Sequence, residues 1–227
     1  MDYAGKDNLD VMETAKNYNA YLLQMVCRSL CGHERKILDF GAGTGVFAKQ
    51  LQRQKPDVKV IALEPADNLD AMYCDKVVEK ISSLQECEAI DLIYSFNVLE
   101  HIEDDVASLK EMYHVLSRKG KLCLFVPAFP CLYSAMDKKV GHYRRYTRKE
   151  LIAKVESVGF RVTCCVYKDF CGWFATLVYK WLNKGNGAIN PKLLKWYDKV
   201  IVPVSILCDK ITGGRICGKN LWLEAEK

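Results

Sequence analysis

The segment that most constrains the fold is a glycine-rich turn that follows an apolar run near residue 40. It reads Ile37-Leu-Asp39-Phe-Gly41-Ala-Gly43-Thr-Gly45 and leads into a helical pattern. Glycine at alternate positions allows a sharp turn and lets backbone N–H groups approach a ligand without interference from a Cβ atom. The segment therefore predicts a strand, a ligand-binding turn and a helix of an α/β fold.

The rest of the chain alternates short β-rich runs with helical patterns, which predicts a mostly parallel sheet with helices on both faces. One helix is expected over Glu103–Ser117, and another begins after Thr147, which forms a T-x-x-E capping box with Glu150. Seven strands are predicted, at Lys36–Phe40, Val58–Leu63, Val77–Glu79, Ala89–Ser95, Lys121–Val126, Arg161–Tyr167 and Asn220–Ala225.

The composition changes before the last predicted strand. Aromatic residues and lysines crowd residues 170–219, a segment too short to bury a core of its own. We therefore expect a single domain, 1–227, that carries 170–219 as a helical insertion. Core packing is the favoured interpretation of its aromatic residues, and the alternatives are closure over an apolar substrate, a dimer face, or transient contact of 170–208 with a membrane surface.

Composition also narrows the class of protein. With 50% hydrophobic and 27% charged residues, the chain resembles ordinary soluble proteins, and a net charge of +5 is small for a dedicated nucleic-acid binder. The eleven cysteines include no C-x-x-C pair and lie mostly in apolar runs, which indicates a reducing compartment. The first ten residues are acidic and polar, unlike a signal peptide, so a cytoplasmic location is expected.

The spacing around the glycine turn bears on which ligand it binds. A dinucleotide site has the pattern G-x-G-x-x-G, and Val46 would stand at its third glycine. Asp39 would repel a pyrophosphate but suits the amino group of a methionine moiety. Glu64 closes the next strand, where an acidic residue can accept both hydroxyls of a ribose. These features favour a ligand with a cationic end and no phosphate over a nicotinamide dinucleotide.

Taken together, these motifs resemble the class I S-adenosylmethionine-dependent methyltransferases. The resemblance is carried by Asp39–Gly45 (the family's first motif), Glu64 (its ribose-binding acid), Asp91–Ile102 (the fourth strand and the turn after it) and Leu116–Leu122 (the entry to the fifth strand). It implies a Rossmann-like fold and S-adenosylmethionine as the cofactor. It also implies transfer of the methyl group to an O or N atom of a small molecule by direct displacement.

The same resemblance assigns cofactor contacts. Adenine is expected near Ser82 or Ser83, in the segment after the third strand. Tyr18 and Tyr21 lie on an N-terminal helix that commonly folds over the cofactor, and packing of this helix on the sheet edge explains them equally well. The full set of expected cofactor contacts is Tyr18, Asp39, Gly41, Gly43, Gly45, Glu64, Ser82, Ser83 and Asn97.

Two histidines are candidates for a base that takes the acceptor's proton. His142 is favoured. It lies in Gly-His-Tyr-Arg-Arg-Tyr-Thr, which resembles a string of bacterial small-molecule members of the superfamily. There Tyr143, Arg144 and Arg145 are expected to bind the acceptor, and a solvated charge run is the alternative.

The second candidate base is His101, in Asn97-Val-Leu-Glu-His101. This string resembles the E-x-x-E-H that binds a divalent metal in quinone-biosynthesis O-methyltransferases and small-RNA 2′-O-methyltransferases. Since Asn97 replaces the first acid, no metal ligand is assigned, and a structural role for Glu100 and His101 at a helix start is the favoured alternative.

Two other functions fit fewer of these features. An RNA methyltransferase would need a basic stripe with interleaved aromatic residues, which only Tyr143–Lys149 approaches. The other alternative is a non-catalytic partner subunit that binds or has lost the cofactor, and the intact Asp39, glycines and Glu64 argue against it. The expected partner is therefore a small-molecule acceptor, and no nucleic acid is expected.

Overall fold

Seven strands form one sheet in the computed structural model, which describes residues 14–65, 78–182 and 191–227. The strands are β1 (Lys36–Phe40), β2 (Lys59–Leu63), β3 (Glu79–Ile81), β4 (Ile90–Phe96), β5 (Leu116–Pro127), β6 (Arg161–Lys168) and β7 (Asn220–Glu226). Their order is β3-β2-β1-β4-β5-β7-β6, and β7 pairs antiparallel with both of its neighbours while the other pairs are parallel. The predicted Rossmann-like α/β fold class is confirmed.

All seven predicted strands are present, and an end is shifted by more than one residue at two of them. β3 begins at Glu79, and Val77, where this strand was expected to begin, lies outside the described residues. β5 begins at Leu116 instead of Lys121, because Leu116 pairs with Ile90 before an irregular stretch in which Lys119 has a φ of 68°. The expected turn at Gly120 is thus an interruption within the strand.

Eight helices are described, together with a π-helical turn over Tyr197–Ile201. The helices are α1 (Lys16–Ser29), α2 (Val46–Gln54), α3 (Asp105–Val115), α4 (Ala135–Lys139), α5 (Arg148–Ser157), α6 (Phe170–Leu182), α7 (Pro191–Trp196) and α8 (Val202–Thr212). As expected, Thr147 caps the start of α5, where its Oγ1 accepts a hydrogen bond of 3.2 Å from the N–H of Glu150. The Glu150 carboxylate pairs with Lys154 at 3.5 Å.

The sheet separates two apolar layers, because successive side chains of a strand point to opposite faces. Leu38 and Phe40 of β1 join the layer that packs under α3 and α5. Ile37 joins the other layer, which packs under α1 and α2 and includes Val202 of α8. By the same alternation, Asp39 lies on the α1 and α2 side, at the carboxyl end of β1.

Buried carboxylates on the helices between β6 and β7 accept hydrogen bonds from backbone groups of neighbouring elements. Asp198 accepts hydrogen bonds from the N–H groups of Asn17 (3.1 Å) and Tyr18 (2.9 Å) at the start of α1. Asp209 of α8 accepts from the N–H groups of Asp169 (2.9 Å) and Phe170 (3.0 Å) at the start of α6. Such charge-assisted bonds in a dry environment are strong, so these helices have a fixed position on α1.

Candidate active site

The glycine turn lies directly after β1, with a backbone that requires glycine. Gly41 has a φ of 75°, and a Cβ atom there would collide with the side chain of Val98. Gly43 has a φ of 55°, and nothing lies within 4 Å of the position its Cβ would take. Gly45 precedes α2 as its N-cap. The turn therefore packs closely against the segment after β4 and leaves open space at Gly43.

Glu64 lies beside this turn, as the sequence predicts. It follows β2, is buried, and its Oε2 accepts a hydrogen bond of 2.9 Å from the N–H of Gly43. The acidic residue and the open glycine thus meet at the carboxyl ends of adjacent parallel strands, the edge where α/β folds bind ligands. A ribose held by Glu64 would lie against the glycine turn.

Asp39 is a buried acid with an unsatisfied oxygen. It is 2% exposed, and its Oδ2 accepts no hydrogen bond from the described residues. Burial raises the pKa of Asp39 to about 7, an effect that the Tyr94 hydroxyl opposes and the charge of Glu64 reinforces. A cationic amino group would supply the missing partner, because an opposite charge favours the ionised carboxylate. The site thus fits a ligand with an amino end and a ribose, as S-adenosylmethionine has.

The two serines expected near adenine are part of a capped turn. Glu86 Oε1 accepts hydrogen bonds from the N–H groups of Ser82 (3.0 Å) and Ser83 (2.9 Å), and Ser83 Oγ accepts from the N–H of Gln85. This capping box accounts for both residues structurally. Their contact with adenine stays a prediction.

The remaining expected cofactor contacts lie in packed positions. Tyr18 is 8% exposed and its ring meets Phe125 edge-on, with the ring centroids 6.4 Å apart. Tyr21 is fixed by a hydrogen bond of 3.3 Å from its hydroxyl to Asp209, which supports the packing interpretation for this residue. Asn97 has a φ of 53°, and its side-chain oxygen accepts from the amide of Asn220 at 3.1 Å.

The structure brings both candidate histidines together. The rings of His101 and His142 are 4.5 Å apart between centroids and nearly perpendicular. Nδ1 of His142 lies 2.8 Å from Oδ1 of Asp137, and its Nε2 lies 3.8 Å from Oε1 of Glu100. Four titratable side chains therefore share one cluster, formed by the turn after β4 and the loop around α4.

The charges in this cluster follow from burial and partners. Burial opposes ionisation of Asp137, but hydrogen bonds from His142, Arg145 and Ser134 hold its pKa well below the ordinary value. Burial raises the pKa of Glu100 to about 8, and neither of its carboxylate oxygens has a hydrogen-bond partner among the described residues. Burial and the adjacent His142 lower the pKa of His101 to about 4. His101 is therefore uncharged at neutral pH.

Arg144 and Arg145 form ion pairs within the protein. Arg145 is 7% exposed and donates to both oxygens of Asp137, at 2.8 and 3.1 Å. Arg144 donates to the Glu103 carbonyl at 2.6 Å and pairs with Asp105 at 2.9 Å. Both guanidinium groups thus have buried anionic partners within the protein, which favours a structural role, and their contact with the acceptor stays a prediction. Tyr143 is 55% exposed and stays a predicted acceptor contact.

The cluster also has the composition of a metal site. Donor atoms of Glu100, His101 and His142 all lie within 4.8 Å of one another. Imidazole and carboxylate are common ligands of zinc and iron, and the Asp137 bond to His142 is the kind of outer contact that orients a metal-bound ring. The sequence does not indicate this set of donors. Asn97 stands where the metal-binding string has its first acid, and His142 is far from Glu100 and His101 in sequence.

Asp137 is the residue that the sequence reasoning missed. It lies in α4 with Ser134 as N-cap, and both the N–H and the hydroxyl of Ser134 donate to its Oδ2. The string Ser134-x-x-Asp137 is a capping-box pattern, which points to a helix start and carries no catalytic signal. Its link to His142 depends on the fold of the loop.

Comparisons with known protein sequences find one matching family and a curated relative. Residues 13–164 fit the model of a protein family described as "Methyltransferase domain". Among curated proteins, malonyl-[acyl-carrier protein] O-methyltransferase 1 of Ilyobacter polytropus is 19% identical over 141 residues. The match covers 56% of this chain and 53% of that protein, so it spans about half of the relative's length.

Solved structures show the same fold. A SAM-dependent methyltransferase from Archaeoglobus fulgidus superposes with a TM-score of 0.61 at 15% identity, over 94% of each chain. A SAM-dependent methyltransferase from Thermotoga maritima, described as a possible histamine N-methyltransferase, gives a TM-score of 0.62 at 17% identity. That match covers 99% of this chain and 98% of the other.

Proposed function

Because the chain belongs to the methyltransferase-domain family, we propose that it is an enzyme that methylates an oxygen or nitrogen atom of a small molecule. S-adenosylmethionine is the cofactor of this family and fold. The curated relative is named as an O-methyltransferase and the Thermotoga protein as a possible N-methyltransferase, so both acceptor atoms are retained.

Three features of the chain would hold the cofactor. Asp39 would accept the methionine amino group, Glu64 the ribose hydroxyls, and the open position at Gly43 would let the ligand lie against the backbone. Bound there, S-adenosylmethionine supplies a methyl group that is already activated by its sulfonium. The protein must then chiefly position the acceptor and exclude water.

The observation that supports an O or N acceptor is the Asp137–His142 pair. Asp137 is ionised and so only accepts hydrogen bonds, which places the ring proton on Nδ1 of His142. Nε2 then has the lone pair and lies toward Glu100 and His101. A base in this position can take the proton that a hydroxyl or ammonium acceptor must lose, a contribution of about 10²–10⁴-fold in rate.

Burial of the cluster favours a small acceptor over a polymer. The His142 side chain is 14% exposed and Glu100 is fully buried. Of the four basic residues in segment 143–149, Arg144 and Arg145 are paired with Asp105 and Asp137, and Arg148 donates to the Gly214 carbonyl. Lys149 is exposed, and so little of this segment is a free basic stripe for RNA. A compact molecule that enters the site fits these positions better.

The test is to supply cofactor with an isotope-labelled methyl group to a cell extract split into small molecules, RNA and protein. We expect label to enter the small-molecule fraction with the native chain and at least tenfold less with Asp39→Ala or Gly43→Val. Label in RNA alone would overturn the small-molecule assignment. Cofactor binding in calorimetry without any transfer would instead indicate a non-catalytic partner subunit.

A further inference from the structure

Large apolar side chains are exposed on one part of the molecule. Among the described residues, every exposed large hydrophobic side chain except Tyr143 lies between positions 174 and 216. They are Phe174, Leu177, Val178, Leu193, Trp196, Val200, Val204, Leu207, Ile211 and Ile216. We call this surface of α6, α7, the π-helical turn, α8 and the residues just after it the outer helix face. Apolar surface concentrated in this way marks an interaction site.

The charges on the same face have one sign. Its exposed charged side chains are Lys180, Lys192, Lys195, Lys199, Lys210 and Arg215. The two acidic residues of segment 170–219, Asp198 and Asp209, are 6% and 2% exposed and point inward to backbone N–H groups. The outer helix face is therefore apolar and cationic, without an exposed acid among its described residues.

From this pattern we propose that the outer helix face docks on an anionic membrane surface. Helices that lie in a membrane interface combine aromatic and aliphatic residues with lysines, and each basic residue near anionic lipid adds to the attraction. Among the described residues, no helix is both long enough and apolar enough to cross a bilayer. The proposal is independent of the acceptor class proposed above.

A second copy of the chain is a poorer occupant of this face. In a symmetric dimer the same patch meets itself. Lysines of one copy would then approach lysines of the other, with no acidic side chain on the patch to offset them. Anionic lipid headgroups supply the missing negative charge.

The experiment is flotation of the full-length protein with vesicles. We expect binding to vesicles of phosphatidylcholine with phosphatidylglycerol, and at least tenfold weaker binding to phosphatidylcholine alone or in high salt. The variant Lys192→Gln, Lys195→Gln, Lys199→Gln should lose at least tenfold in affinity for the anionic vesicles. The control variant Lys55→Gln, Lys110→Gln, Arg118→Gln removes the same charge from exposed positions outside the outer helix face and should bind like the native chain.

A second pair of changes tests the apolar contribution. Leu207→Ser with Ile211→Ser alters two exposed positions of α8, so the fold should persist, as circular dichroism and cofactor calorimetry can verify. This variant should also bind anionic vesicles at least tenfold less. Absence of vesicle binding by the native chain would overturn the proposal. Equal binding by the variant of Lys192, Lys195 and Lys199 and by its control variant would also overturn it. So would a dimer in sedimentation that the α8 variant dissociates, since the face would then belong to a second copy.

Discussion

Oδ1 of Asp137 lies 2.8 Å from Nδ1 of His142, and this contact decides which nitrogen of the ring has the lone pair. Arg145 donates to both oxygens of the same carboxylate and Ser134 donates to one of them, so Asp137 can act only as an acceptor. The acid therefore orients the imidazole and fixes its tautomer, a requirement for a histidine that acts as a base.

If His142 is the base, His142→Ala should lower turnover by about 10²-fold or more, because no other group holds an oriented lone pair at that position. The affinity for S-adenosylmethionine, measured by calorimetry, should be unchanged. His114→Ala, at an exposed site near the end of α3, is the matched control. A large loss in His101→Ala with full activity in His142→Ala would reverse the assignment.

A chelator should leave turnover unchanged if Glu100, His101 and His142 act through proton transfer. The measurement is methyl transfer by protein dialysed against a chelating agent, compared with untreated protein and with protein given zinc, manganese or iron afterwards. Loss of activity that one of these ions restores would instead assign the cluster to a metal, for which its ligand types are suited.

Glu64→Gln should weaken S-adenosylhomocysteine binding by about tenfold or more, which corresponds to ~1.4 kcal/mol. Glutamine can still accept the hydrogen bond from Gly43 but has no charge to receive two ribose hydroxyls. The free energy of unfolding without ligand should therefore change little, as urea denaturation can show. An equal loss of stability in the ligand-free protein would make Glu64 a structural residue only.

The contribution of Asp39 and Glu100 to the stability of the ligand-free protein should fall between about pH 4 and pH 8, while the lowered pKa of His101 acts in the opposite direction up to about pH 6.5. The pKa values of Asp39 and Glu100 are raised from 3.8 to about 7 and from 4.5 to about 8. Below these ordinary values, both acids are protonated in the folded and unfolded states. As the pH rises, the unfolded chain releases these protons first, so unfolding becomes more favourable until the folded pKa values are passed.

Urea denaturation at several pH values tests this dependence. Asp39→Asn and Glu100→Gln should each remove that acid's share of the decrease in the free energy of unfolding with rising pH. Each should also stabilise the ligand-free protein at pH 8, because it removes the cost of a buried charge. The exposed control Glu103→Gln should retain the full slope. A slope that neither buried variant alters would refute the link between these two acids and stability.

Arg145→Ala should destabilise the protein by about 3–5 kcal/mol, since it leaves the buried Asp137 carboxylate without its cation. Tyr143→Ala, at the adjacent exposed position, should change stability by no more than about 0.5 kcal/mol. Both values come from urea denaturation. Native stability together with a raised KM in Arg145→Ala would support the role in acceptor binding that the sequence predicts.

The cofactor side of the site could be predicted from the sequence because its parts are local. Asp39 and Gly41 to Gly45 are nearly consecutive, and Glu64 ends the next strand of a parallel sheet, where strand ends meet at one edge. Their spacing alone therefore brings them together.

The acceptor side could be predicted only in part. His101 is recognisable just past the fourth strand and His142 in the long segment before α5, but their contact and the bond to Asp137 depend on how two loops pack. Arg144 and Arg145 looked like a solvated or ligand-binding pair. Asp105 is far from Arg144 in sequence, and Asp137 is recognisable only as part of a capping box, so no spacing rule reveals these two ion pairs.

The carboxylate of Asp198 connects the π-helical turn to the start of α1. It holds the N–H groups of Asn17 and Tyr18, so the π-helical turn cannot shift without moving α1 or breaking a buried, charge-assisted bond. The π-helical turn is thus in direct contact with the helix that carries Tyr18. If a membrane bound at the outer helix face changes the affinity for the cofactor by some factor, then bound cofactor changes the affinity for the membrane by the same factor.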